Sequence, residues 1–219
     1  MRIAIDGPAG AGKSTVARKL ARRLGYSYID TGAMYRAVTL EAVLSKVPVE
    51  DTKALARLAK ELEIEFCQGS NQETLVFANG RDVSEEIRTP EVSRLVSLVA
   101  KVPEVRKYLT EKQRALAAPG KVVVEGRDIG TVVLPGAEKK FFLTAAVEER
   151  ARRRFLENKN KGYNISLQEY INEITSRDIQ DASRNVAPLI PAPDAVVIDT
   201  TGKSPDQVVE ILLKAVREG

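Results

Sequence analysis

Apolar residues first gather at Ile3, Ala4 and Ile5, a run short enough for a buried strand and closed at once by Asp6. A glycine-rich turn follows from Gly7 to Gly12. From Ser14 the period changes: Val16, Leu20 and Leu24 fall at i, i+4 and i+8 with Ala17 and Ala21 beside them, which predicts a helix. Gly25 stands where a glycine is expected to end it. Tyr26 to Asp30 reads as a second strand and Ala33 to Leu44 as a second helix. This strand–helix–strand–helix opening predicts a parallel α/β sheet.

The middle of the chain breaks that rhythm. Leu55, Leu58, Ala59 and Leu62 mark an amphipathic helix, after which Ile64 to Phe66, Thr74 to Ala78 and Arg81 to Val83 read as short strands. Asn79-Gly80 signals a tight hairpin, because its turn needs positive φ at both central residues. Parallel crossover sheets do not need such hairpins, so residues from about 60 to 100 are expected to form a small antiparallel insertion. A helix is predicted over Glu91 to Ala100, and another from Pro103 to Ala117 with Val105, Leu109 and Leu116 along one side. Lys121 to Glu125 and Lys139 to Thr144 restore the strand pattern. Helices follow over Val147 to Glu157 and Ser166 to Ser183, the second opened by a capping box of Ser166 and Glu169. Ala195 to Asp199 is a last strand. Val208, Ile211, Leu212 and Ala215 define a closing helix, and Pro188, Pro191 and Pro193 read as a rigid connector.

Composition narrows the chemistry. The 219 residues include 34 Lys and Arg against 30 Asp and Glu, for a formal charge of +4, one Cys and no His. Without histidine, Ser-His-Asp and Cys-His relays and His-ligated zinc or haem are excluded. The single Cys67 cannot form an internal disulfide and is expected to be a small buried apolar residue in a reducing, cytoplasmic protein. The opening residues reach Asp6 too early for a signal-peptide core, and no run of 18 apolar residues suggests a membrane partner. A charge of +4 on this length argues for anionic small molecules at least as well as for nucleic acid. Any catalysis must use Lys, Arg, carboxylates, hydroxyls and backbone amides.

Gly7-Pro8-Ala9-Gly10-Ala11-Gly12-Lys13-Ser14 supplies such a set, because it matches the phosphate-binding P-loop G-x-x-x-x-G-K-[ST]. A loop that wraps polyphosphate must turn consecutive N–H groups inward, and Gly10 and Gly12 remove the side chains that would obstruct that nest. The following helix adds its N-terminal amides and dipole. Lys13 can reach the β- and γ-phosphates, the Ser14 hydroxyl can ligate Mg²⁺, and Thr15 completes the nucleotide-binding stretch.

No Asn-Lys-x-Asp guanine motif occurs. The strand Val122-Val123-Val124 ends in Glu125-Gly126-Arg127-Asp128, which puts an arginine at a strand's C-terminal edge, where open α/β sheets bind ligands. Arg127 reads as a phosphate clamp or as an ion-pair partner of Asp128. Arg150, Arg153 and Arg154 share one helix face, which is either solvated or turned to phosphate. Arg177, Asp181 and Arg184 fall at i, i+4 and i+7, a salt-bridge ladder or a second site element.

Five ordered blocks then carry a resemblance: IDGPAGAGKST (5–15), DTGAMYRA (30–37), VSEEIRTPEV (83–92), EGRDIGTVV (125–133) and RNVAPLIPAPDA (184–195). Over essentially the whole chain the sequence resembles the bacterial cytidylate (CMP/dCMP) kinases, P-loop enzymes that phosphorylate nucleoside monophosphates. The resemblance implies a three-layer P-loop α/β fold with a parallel sheet, an antiparallel acceptor-binding insertion and a helical lid. The core would comprise about 1–59, 101–146 and 184–219, the insertion about 60–100 and the lid about 147–183. It implies transfer from ATP, with Mg²⁺ on Ser14, to CMP or dCMP in a monomer that uses neither nucleic acid nor membrane. By position, Thr31, Arg36 and Arg127 would hold the acceptor's phosphate, and Tyr35 would belong to the acceptor-binding set. Ser97, Arg106 and Asp128 would read cytosine, and Asp181 with Arg184 the sugar. Lys13, Arg127, Arg184 and Arg153 would neutralise charge on the transferring group, while the Asn158 to Gly162 stretch would belong to the lid. Thr31 stands where Ser is common in these kinases and Glu125 where Asp is common. The rival readings are a kinase for another monophosphate or for a metabolite such as shikimate, and a nucleotide switch or RNA-binding protein.

Overall fold

A computed structural model of the protein describes residues 1–70, 73–160, 162–184 and 186–218. The chain forms two compact units, one from residues 1–28 with 119–219 and one from residues 29–118.

In the first unit, β1 (Arg2–Asp6), β6 (Val122–Glu125), β7 (Lys139–Thr144) and β8 (Val196–Asp199) are parallel neighbours; with β2 (Ser27–Asp30) at one edge, the sheet order is β2-β6-β1-β7-β8. Ile3 to Ile5 and Val122 to Val124 are buried throughout, as continuous apolar runs must be in a sheet covered on both faces. Helix α1 (Lys13–Leu24) packs Val16, Leu20 and Ala21 into one core cluster with Leu212 and Leu213 of α8 (Pro205–Arg217). The α8 stripe centres on Val209, Leu212 and Val216, so the expected Ile211 lies off it and is exposed. Helices α6 (Val147–Asn160) and α7 (Leu167–Ala182) pair around Ala151, Tyr170 and Ile174, and the predicted capping box of Ser166 and Glu169 is formed. Of the expected lid stretch, Lys161 lies outside the described residues, as does Asn185 of the last sequence block.

The second unit holds α2 (Thr31–Leu44), α3 (Thr52–Glu61), α4 (Pro90–Val99) and α5 (Pro103–Ala117) with an antiparallel sheet of β3 (Ile64–Gln68), β4 (Thr74–Ala78) and β5 (Arg81–Asp82). The hairpin at Asn79-Gly80 has φ of 49° and 76°, as its two-residue turn requires. Asp30, Asp51 and Thr89 cap α2, α3 and α4, and Met34, Leu55, Val76, Ile87 and Leu109 meet in one core. The antiparallel strands expected between residues 60 and 100 are present, inside a unit that extends beyond that segment on both sides.

Two packing expectations are corrected here. Cys67 is exposed: Ile64 and Phe66 take the core face of β3, and the period of two turns Cys67 outward with Glu65. Leu116 is also exposed, because the buried stripe of α5 steps through Val105, Leu109, Gln113 and Ala117 and drifts past it.

Candidate functional site: a phosphate cradle and its arginines

The loop between β1 and α1 is shaped by close approach. Gly7 has φ 144°, and a Cβ there would collide with the Leu143 carbonyl oxygen on the adjacent strand β7. Gly10 has φ 76°, and a Cβ on it would stand 2.8 Å from Cβ of Arg150 on α6. Gly12, at φ 85°, precedes the first residue of α1. That residue is Lys13, whose side chain folds back to donate from Nζ to the Pro8 carbonyl at 2.8 Å. Pro8 and Ala11 are buried within the loop, Ala9 and Ser14 half-buried, and Thr15 exposed.

Lys13 is only 6% exposed. Burial pushes its ammonium down to about 7; the Arg127 and Arg177 charges press the same way, while Glu125 and Asp6 oppose them. Such a group is poised to gain a negative partner. Glu125, at the end of β6, is buried and accepts a short hydrogen bond from the Tyr28 hydroxyl. Asp6, at the end of β1, is pushed up to about 6, chiefly by burial. The N–H groups of Gly130 and Ile129 and the charge of Lys13 counter that rise, and Asp128 adds to it.

Three residues singled out from the sequence meet around one carboxylate. Asp181 on α7 is fully buried; Arg127 Nε donates to its Oδ2 at 3.0 Å and Arg184 donates to its Oδ1. Burial alone would raise the Asp181 pKa, but Arg127, Arg184 and Arg177 hold it below the usual carboxylate range. Of the ladder expected along α7, the Asp181–Arg184 pair is formed, with Arg184 just past the helix end; it is buried and joined by an arginine from the strand edge, and Arg177 adds its charge. Arg127 also donates to the Gly126 carbonyl at 3.2 Å, and Asp128 beside it is buried.

The α6 arginines divide. Arg150 is buried and donates to the Ala145 carbonyl, the Ala9 carbonyl of the loop and Asp178 of α7. Arg153 donates to Glu149 at 3.1 Å and to Oγ1 and the carbonyl of Thr200 at 3.1 and 2.7 Å. Thr200 in turn lies 3.2 Å from the Ala11 carbonyl, so Arg153 stands at the rim of the cradle. Arg154 pairs with Glu157 at 3.4 Å.

In the second unit, Asp30 Oδ1 accepts from the Ala33 amide at 2.9 Å and Oδ2 from Arg36 at 2.8 Å, with Arg88 at 3.9 Å. Thr31, the first residue of α2, is buried, and Arg36 Nε has no hydrogen-bond partner among the described residues. The Arg106 guanidinium lies 5.5 Å from the ring centre of Tyr35 and donates to the Ala100 carbonyl at 3.2 Å. Ser97 is buried on α4.

Asp6, Arg88, Asp178 and Thr200 were not singled out from the sequence. Arg88 lies inside a block quoted for the resemblance and could have been found there. Asp6 too lies inside a quoted block, but its role, like those of Asp178 and Thr200, shows only through partners far along the chain.

A parallel sheet whose first strand feeds a glycine loop, a buried lysine and a helix, with arginines gathered behind it, defines a P-loop phosphotransferase. The family model for cytidylate kinase matches residues 3–218, and the chain belongs to that family. It is 54% identical over 217 residues to a cytidylate kinase of Desulforamulus reducens, covering 99% of this chain and 97% of the relative. A cytidylate kinase of Carboxydothermus hydrogenoformans is 53% identical over 99% of this chain and 97% of its own. Among solved structures, a shikimate kinase from Bacteroides thetaiotaomicron shares the fold, with a TM-score of 0.53 at 13% identity, covering 99% of this chain and 98% of its own. The protein is thus a nucleoside monophosphate kinase, an enzyme of the transferase class. No helix among the described residues is long and apolar enough to cross a membrane.

Proposed function

We propose that the protein transfers the γ-phosphoryl group of ATP to a phosphate oxygen of CMP or dCMP, giving ADP and CDP or dCDP. The bond from the γ-phosphorus to its bridging oxygen breaks as the bond to the acceptor oxygen forms. The observation that carries this reading is the buried Lys13 in one unit with the Arg127–Asp181–Arg184 cluster, in a chain so similar to cytidylate kinases.

The chemistry suits a protein without histidine. The acceptor phosphate, with a second pKa of about 6, arrives largely ionised near neutral pH, so no general base is needed. What remains is placement and charge. Residues Gly7 to Thr15 wrap the donor phosphates, the non-proline backbone amides donating to them, and Lys13 exchanges its bond to the Pro8 carbonyl for phosphate oxygens. Arg127 and Arg184 neutralise charge on the transferring group, oriented by Asp181, and Arg153 assists from the rim. The half-buried Ser14 hydroxyl fits Mg²⁺, which takes few protein ligands and the rest from nucleotide phosphates and water. When bound, the ion would draw charge from the phosphate oxygens.

On the acceptor side, Thr31, Arg36 and Arg127 are assigned to the monophosphate, Ser97, Arg106 and Asp128 to cytosine, and Tyr35 to the acceptor-binding set. Cytosine offers acceptors at O2 and N3, which suit an arginine, and an amino donor, which suits Ser or Asp. Asp181 and Arg184 are assigned to the sugar. Residues of about 60–100 serve as the acceptor-binding insertion, and α6 and α7 within about 147–183 as a lid that excludes water, a competing acceptor.

The test is product identity. With ATP, Mg²⁺ and CMP, phosphorus NMR should show ADP and CDP accumulating in equal amounts. ADP without CDP would mark the protein as a hydrolase and contradict the proposal.

A further inference from the structure

Asp6 takes no part in the chemistry above, yet it is a buried carboxylate with both oxygens engaged. Oδ1 accepts from the Ile129 amide at 2.8 Å and Oδ2 from the Gly130 amide at 2.7 Å. These amides open a short π-helical turn, Ile129–Val133, that begins directly after Arg127 and Asp128. The first N–H groups of any helical turn lack partners within it, and buried ones must find them elsewhere. Here the partner lies 123 residues away in sequence, on the residue that immediately precedes the phosphate cradle. Gly130 leaves room for the contact: a Cβ there would stand 3.1 Å from Lys140 Cδ and 3.4 Å from Asp6 Oδ2. The far end of the segment is held as well, since Lys140 Nζ donates to the Pro135 carbonyl at 2.6 Å and to Asp194 at 2.9 Å.

We infer that Asp6 is a positioning residue for the acceptor side of the reaction, fixing the Arg127–Asp128 segment to the root of the donor cradle through the Ile129 and Gly130 amides. The inference rests on the functional reading above. Asp6 does not touch substrate in this account; it sets where Arg127 and Asp128 stand. Its carboxyl, pushed up to about 6, is still largely ionised at pH 7, so both oxygens accept.

The experiment has two arms. Amide hydrogen exchange on the wild-type protein should show Ile129 and Gly130 strongly protected at pH 7. In Asp6→Asn one acceptor becomes a donor facing an N–H group, so KM for CMP should rise and kcat fall, each by about tenfold, with KM for ATP within twofold. Should that variant fail to fold, the exchange arm decides, because it reads the two amides in the wild-type protein. Unprotected amides, a parallel rise of both KM values, or wild-type constants in the folded variant would overturn the inference. A wild-type protein that does not phosphorylate CMP would instead sink the functional reading, and the inference with it. CMP phosphorylation with unprotected amides would overturn the inference alone.

Discussion

Arg127 and Asp181 stand 54 residues apart in sequence and are joined by a 3.0 Å hydrogen bond from Nε to Oδ2, with Arg184 on the other carboxylate oxygen. Asp181 is fully buried and Arg184 nearly so, so the acid is the common anchor for both guanidinium groups. Removing its charge takes a fully buried carboxylate from between two guanidinium groups. Asp181→Asn should therefore lose about 3 kcal/mol of unfolding free energy, measured by urea denaturation. It should also lower kcat/KM for CMP by roughly a hundredfold, since misplaced guanidinium groups no longer meet the transferring phosphate.

Two buried carboxylates give opposite pH dependences. The Asp181 pKa is depressed in the fold, so its contribution is present above the ordinary carboxylate pKa and lost as pH falls through the lower folded value. That of Asp6 is raised from 3.8 to about 6, so its contribution is full below 3.8 and lost as pH rises through about 6. Asp6→Asn removes the second effect. Relative to wild type, this variant should gain stability on the order of 2–3 kcal/mol as pH rises from 4 to 7. Urea denaturation of both proteins across that range measures it, and a difference that does not change with pH contradicts the raised pKa.

Lys13→Ala should abolish transfer without unfolding the protein. The lysine ammonium is buried and disfavoured by its surroundings, so its removal should leave the melting temperature unchanged or higher. The kcat should fall by a factor of about a thousand or more, the scale of one lost electrostatic contact to the transition state. Thermal unfolding beside a coupled ADP assay separates the two effects.

The glycine at position 10 is fixed by the close approach of α6. Gly10→Ala must place a Cβ 2.8 Å from Arg150 Cβ at φ 76°. It should cost roughly 2–4 kcal/mol of stability through backbone strain and overpacking. The KM for ATP should rise with it, because Arg150 also donates to the Ala9 carbonyl of the cradle.

The strands, the cradle and the caps were legible in the sequence because their signals are local. Ile3 to Asp6 followed by the glycine motif, Asn79-Gly80, and Ser166 with Glu169 each declare themselves within a few residues. The packed arginines were half legible: the spacing of Asp181 and Arg184 brings them close, but nothing local says that the pair is buried with Arg127. Asp6 sits in a quoted block, yet its role could not be read, since an acid before a glycine turn resembles a polar strand end until the amides of Ile129 and Gly130 reach it. The same holds for Thr200, whose contacts with Arg153 and the cradle span much of the chain. Cys67 misled because cysteines are usually buried, whereas the parity of β3 turned it outward.

The central claim is that the acceptor is a cytidine monophosphate. Initial rates of ADP formation with ATP and Mg²⁺, taken over a range of CMP, dCMP, UMP and AMP concentrations, test it most directly. A site that meets cytosine's amino group with a fixed acceptor should favour CMP over UMP and AMP by about a hundredfold or more in kcat/KM. A kcat/KM for UMP or AMP that equals or exceeds that for CMP would contradict the account.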